Sequence, residues 1–119
     1  MNSITLVPLY DSSFNDDSVD EFLKLTKLTT LCIESTFCLK ILNYLKQGKA
    51  NHLENIILLD SENEDYIFIL IGYKINVFKY PNLLNAGAKY ISIKFNYPNP
   101  DTILTLGFTS GTTGLSKAA

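Results

Sequence analysis

Histidine occurs once in this 119-residue chain, at His52, and cysteine only twice, at Cys32 and Cys38. A hydrolase triad needs an imidazole beside a nucleophile and an orienting acid, and His52 sits in a loop-like stretch whose spacing supports neither a Ser/His/Asp nor a Cys/His set. Neither cysteine has a CxxC partner or a metal-ligand spacing, so no metal site is expected, and both read as small core residues of a reducing compartment. Charge is sparse as well: charged residues make up 18% of the chain, the net charge is −2, and the lysines are scattered. Without a basic stripe there is no electrostatic footprint for nucleic acid. The longest apolar stretch, YIFILIGY at 66–73, falls well short of the about 20 residues that a membrane-crossing helix needs. The amino terminus shows no basic region followed by an apolar segment and cleavage site. The default expectation is a cytoplasmic protein, or one peripheral on cytoplasmic membrane faces.

What the chain does have is apolar content, 46% of its residues, enough for a single packed core in one domain or part of one. Its distribution is rhythmic. ITLVPLY (4–10) reads as a buried strand. Ser18 and Glu21 form a capping box, and Val19, Phe22, Leu23 and Thr26 then recur at helical spacing, which predicts a helix over 18–28. TTLCIES (29–35) reads as a strand. Ser35 or Thr36 caps a second helix through Cys38, Ile41, Leu42 and Leu45, closed by Gly48. NIILLD (55–60) is a third strand.

Strands alternating with helices at this spacing imply right-handed crossovers and an α/β fold, a mostly parallel sheet with helices on both faces. Further on, YIFILIG suits a short helix or irregular turn before a strand at 74–79. PNLLNAG (81–87) suits a short helix with proline in its first turn and glycine at its end. YPNPD (97–101) is a turn or connector, and TILTLGF (102–108) is the strand that delivers the chain into its last motif.

That motif is GFTSGTTGLSKAA, residues 107–119. Glycines tolerate the backbone conformations that aim several N–H groups at one anion. The hydroxyls of Thr109, Ser110, Thr112 and Thr113 add donors, and Lys117 adds a full positive charge. Gly/Ser/Thr runs also serve as plain surface loops. The Walker A pattern is excluded, because Lys117 follows Ser116 and precedes Ala118 where a Gly-Lys-Ser/Thr string is required.

The string FTSGTTGLSKAA resembles the signature loop of the adenylate-forming acyl-CoA synthetase superfamily, an aromatic residue followed by T-S-G-[ST]-T-G-x-P-K-G. Phe108, Thr109, Ser110, Gly111, Thr112, Thr113, Gly114 and Lys117 match it position by position. VPLYDS (7–12), TTLCIES, LENIILLD and PNPDTILTLGFTSGTTG are similar in order and spacing to the long-chain fatty acid-CoA ligases, with 62–96 matching in arrangement more than in letters.

The resemblance implies a partial, flavodoxin-like subdomain of an AMP-binding N-terminal domain. Residues 1–119 would be a piece of that domain, ending in a phosphate-binding loop at 108–119. It further implies ATP and Mg²⁺ as cofactors and a fatty acid and coenzyme A as partners of a full enzyme. In such an enzyme Thr109, Ser110, Gly111, Thr112, Thr113 and Gly114 would cradle the ATP phosphates while Lys117 neutralises them. Ser116 in place of proline and Ala118 in place of glycine depart from the pattern. The family's adenine-binding segment, magnesium-holding acidic residue, acyl tunnel, hinge and C-terminal lysine have no counterpart here, so the isolated chain is expected to be inactive and prone to aggregate. Two alternatives stand beside this reading: a non-catalytic nucleotide-binding or interaction module of the same descent, and an unrelated flavodoxin-like domain with a chance Gly/Thr tail.

Overall fold

A computed structural model of the chain describes residues 4–8, 16–60, 65–90, 93–109 and 117–118. Its contacts divide it into two units, residues 20–91 and the pair of segments 1–19 and 92–119.

The unit at 20–91 is a three-stranded parallel sheet flanked by helices, an α/β arrangement. Helix α1 (Asp16–Thr26) crosses into it after Val19 and is followed by β1 (Thr30–Ile33), a 3-10 turn at Ser35–Phe37 and α2 (Cys38–Lys46). Then come β2 (Asn55–Leu58), α3 (Asp65–Gly72), β3 (Asn76–Lys79) and α4 (Tyr80–Gly87). The sheet order is β1-β2-β3, both pairs parallel. Sequential strands lying side by side are what two short right-handed crossovers produce. Helices α2 and α3 contact each other, so both connections pass over one face.

That face carries the core. Leu31, Ile33, Ile56 and Leu58 point into it and are buried, with Val77 half-buried in the row of Leu31 and Ile56. Cys38, Ile41 and Leu42 of α2, Leu70 of α3 and Ile75 pack there as well. The row Cys32, Ile57 and Phe78 on the opposite side is exposed or half-exposed. Above it Asn76 Nδ2 donates to Asn55 Oδ1 (3.0 Å) and Asn55 Nδ2 donates to Thr30 Oγ1 (3.2 Å), a polar ladder across all three strands.

Each of the first three helices stops on a left-handed residue. Gly48, at φ +70°, ends α2 as its position predicts. Its N–H donates to the Leu45 carbonyl, and the Lys49 N–H turns back to that of Tyr44. The Lys49 ammonium then lies 5.7 Å from the centre of the Tyr44 ring. Helix α3 uses the same pair of bonds, Lys74 to Ile71 and Ile75 to Leu70, but places a lysine at φ +62°. Helix α1 ends with Lys27 at φ +49° donating to Leu23. A side chain at such a position costs backbone energy that glycine avoids.

Three sequence expectations change. Helix α1 spans Asp16–Thr26, so Ser18 lies within it and not at the cap position that the sequence predicts. Ser35 and Thr36 form the 3-10 turn, with no side-chain cap on α2. Both flanking strands are thinner than expected. Of ITLVPLY, residues 4–8 are described, and they make one parallel bridge, Leu6 to Thr105, with Ile4 and Leu6 largely exposed. TILTLGF contributes that bridge and β4 (Phe108–Thr109) and no continuous ladder. An apolar run becomes a buried strand only when neighbours cover it, and β2 has a strand on each side where Leu6 has a single bridge.

Candidate phosphate-binding loop

The last described elements, β4 (Phe108–Thr109) and β5 (Lys117–Ala118), pair antiparallel, with Phe108 opposite Ala118 and Thr109 opposite Lys117. The chain therefore leaves along β4 and returns along β5. Directly opposed residues in an antiparallel pair stand about 5 Å apart at their Cα atoms. The backbone register thus brings together Thr109 and Lys117, the first and last residues of the predicted set. Ser110, Gly111, Thr112, Thr113 and Gly114 lie outside the described residues, as does Ser116. Ala118, which replaces a glycine of the signature, sits in extended pairing, a conformation that alanine adopts without strain.

The strand entering β4 is held from one side. The Leu6 N–H donates to the Leu104 carbonyl and the Leu106 N–H donates to the Leu6 carbonyl, each at 3.0 Å. Two threonine hydroxyls reinforce the bridge, Thr105 to the Leu6 carbonyl (3.0 Å) and Thr5 to the Ile103 carbonyl (2.8 Å). Upstream, the Asn99–Thr102 turn is closed by the Thr102 N–H to the Asn99 carbonyl and by the Thr102 hydroxyl to Asn99 Oδ1. The predicted connector at 97–101 thus ends in an Asx-type turn.

A second polar group, which the sequence reading did not pair, lies in the unit at 20–91, where β1 and β2 end. Asp60 Oδ1 accepts the Ser35 N–H at 2.9 Å and Oδ2 accepts the Ser35 hydroxyl at 3.1 Å. Ser35 is the one buried polar side chain among the described residues. The carboxyl ends of parallel strands are where open α/β sheets collect ligands. Here the two partners satisfy each other, and the pair fastens the β1-to-α2 turn to the end of β2. Burial, and secondarily the Asp60 carboxylate, push the Cys38 thiol above its ordinary range. The signal for this contact was present as two polar residues, Ser35 and Asp60, each closing an apolar strand that the rhythm places side by side.

Among the described residues no group of three His, Cys, Asp or Glu side chains converges to hold a metal ion. No described helix is long and apolar enough to cross a membrane.

No family model matches the chain, and no curated protein matches it. Among solved structures, the chain is similar to the adenylation domain of a carboxylate reductase from Mycobacterium chelonae, with a TM-score of 0.77 at 17% identity. The match covers 97% of this chain and 19% of that one, so the chain spans about a fifth of its structural neighbour. At that identity the likeness is one of fold: an α/β unit with the architecture of part of an adenylation domain.

Proposed function

We propose that this chain supplies the ATP-phosphate loop of an adenylate-forming ligase, one that activates a carboxylic acid as its acyl-adenylate. The observation that carries the reading is the Thr109–Lys117 pairing. It closes the two ends of a string whose letters match the superfamily's signature, in a chain whose fold matches part of an adenylation domain.

In the proposed reaction a carboxylate oxygen attacks the α-phosphorus of ATP, and the bond to the bridging oxygen of the leaving pyrophosphate breaks. Negative charge builds on that pyrophosphate. Backbone amides and hydroxyls across Thr109–Gly114, with the ammonium of Lys117, would stabilise it as it forms, an arrangement effective because the donors are set before the charge appears. Mg²⁺ would arrive with the nucleotide as MgATP, held largely by the phosphates themselves. Coenzyme A would then take the acyl group and release AMP.

The proposed acid is a long-chain fatty acid, on the strength of VPLYDS and the order of the following segments. The whole reaction would belong to a larger protein containing this chain, working in the cytoplasm or on cytoplasmic membrane faces.

The phosphate part is tested by titrating MgATP onto a full-length protein carrying this chain and onto its Lys117→Ala variant, with at least a tenfold loss expected for the variant. Equal binding by the two would contradict the assignment. The acid is tested by ATP–pyrophosphate exchange in a full-length protein carrying this chain: stimulation by long-chain fatty acids is expected, and stimulation only by short or aromatic acids would move the reading to another branch.

A further inference from the structure

Helix α3 has no polar side. From Tyr66 to Ile71 its residues are apolar without interruption, and a helix of that kind is ordinarily covered all round. The helix packs on α2 and β3, yet Leu70 is its one fully buried side chain. Phe68, at 79%, is the most exposed large apolar side chain among the described residues, and Ile69 and Ile71 beside it are 46% and 54% exposed. Gly72 follows Phe68 by one helical turn and so shares its face. No atom stands within 4 Å of where a Cβ of Gly72 would be, and its backbone is not left-handed. The outer stripe is therefore a projecting ring next to a gap that could take a side chain. An exposed acid, Asp65, opens the helix, and an exposed base, Lys74, follows its end.

This stripe is its own complement. A half-turn about an axis crossing the helix at the level of Leu70 brings residues equally far before and after Leu70 level with each other. Phe68 then meets Gly72, Ile69 meets Ile71, and Asp65 comes within one position of Lys74. Each contact occurs twice, which is what a two-fold interface between identical chains requires. We propose that the outer face of α3 is a homodimer interface, in which two copies of the protein pack α3 antiparallel, each Phe68 ring seated on the partner's Gly72 and each Asp65 paired with the partner's Lys74. Ring into gap and acid against base are satisfied by one operation. Leu39 of the adjoining α2 and Tyr73, both exposed, widen the patch. Eight residues of helix span about 12 Å, so the contact is of the size that gives a reversible dimer.

The test is sedimentation equilibrium of a full-length protein carrying this chain, over a wide range of concentration and without nucleotide. A mass rising toward twice that of the monomer is expected. Phe68→Asp should raise the dimer's dissociation constant at least tenfold. Gly72→Leu should do the same by filling the gap, and leucine favours the helix more than glycine does, so the fold is kept. Asp65→Lys should weaken the dimer about threefold, the scale of an exposed ion pair. Adding Lys74→Asp to it should restore the parent's value, because the pair is made between copies while Asp65 and Lys74 of one copy stand at opposite ends of the helix.

A protein that stays monomeric at every concentration overturns the proposal, and so does a dimer that tolerates both Phe68→Asp and Gly72→Leu. Losses at Phe68 and Gly72 without rescue by the double charge exchange overturn the antiparallel pairing. Two further readouts name the other occupants of the face. Uptake of the protein onto phosphatidylcholine vesicles, lost in Phe68→Asp and with no dimer in their absence, assigns the face to lipid and overturns the proposal. Protection of Phe68→Cys from a thiol reagent in dilute, monomeric protein assigns it to another part of the same protein and overturns it too.

Discussion

The unit at 20–91 and the unit formed by 1–19 with 92–119 are held together by different forces. Every buried apolar side chain among the described residues except Val19 lies in the first. In the second, apart from Val19, the described side chains are exposed or half-buried, and the chain is fixed by a bridge, two hydroxyl bonds, an Asx-type turn and a two-residue strand pair. Burial gives strength without regard to direction, and hydrogen bonds give direction with modest net strength. Stability is therefore expected to reside in one unit, and the ligand-binding conformations in the other.

The sharpest way to break that comparison is to empty the core of one unit and the equivalent surface of the other. Ile56 is fully buried between β1 and β3, and Ile56→Ala should cost about 3–4 kcal/mol in urea unfolding by leaving a cavity. Ile103→Ala, on the exposed approach to the loop, should stay within about 0.5 kcal/mol. Comparable losses at the two sites would refute the division of labour.

Next in size is the Ser35–Asp60 contact. Asp60→Ala strands a buried N–H and hydroxyl and should cost about 2–3 kcal/mol. It should also lower the Cys38 thiol toward its usual range, since the carboxylate is one of the two causes of its rise.

Smaller effects separate the helix ends. At Gly48, φ +70° with no atom near a built Cβ makes the cost of Gly48→Ala purely conformational, about 1 kcal/mol. Lys74→Gly at φ +62° should stabilise by about 0.5–1 kcal/mol. Opposite signs are expected, and a loss at both would mean that the Lys74 side chain contributes more than its backbone conformation costs.

The smallest is a pH effect on Cys38. Its thiol is raised in the folded chain, so the folded state holds the proton longer. That contribution is complete below the unfolded thiol's pKa, about 8.5. It is lost as pH rises from there toward the folded value, by at most about 1.4 kcal/mol per pH unit. Cys38→Ala should flatten this alkaline fall, and the exposed Cys32 should react with a thiol reagent long before Cys38 does.

Legibility in the sequence followed the same division. Helical spacing of Cys38, Ile41 and Leu42 and the apolar run NIILLD predicted α2 and β2 because burial on a periodic element writes itself into composition. Gly48 was readable for its backbone, whereas Lys27 and Lys74, in the same conformation, were not, because lysine carries no such signal. ITLVPLY resembled NIILLD in character, yet of its described residues Ile4, Thr5 and Leu6 are exposed and Val7 and Pro8 half-buried, because coverage depends on neighbours that a local window does not contain. Ser35 and Asp60 meet across 25 positions, a bond signalled only by each closing an apolar strand that the rhythm sets beside the other. Of the loop, the letters were plain, and the structure adds the Thr109–Lys117 register that closes its ends.

The central claim is that nucleotide phosphate is held by the weakly buried unit. Its most direct test is a backbone amide titration, with MgATP, of a full-length protein carrying this chain. The account predicts shifts concentrated at 105–118, lost in Lys117→Ala, with β1–β3 undisturbed. Shifts centred on Ser35 and Asp60, at the carboxyl ends of β1 and β2, or a response that survives Lys117→Ala, would contradict it.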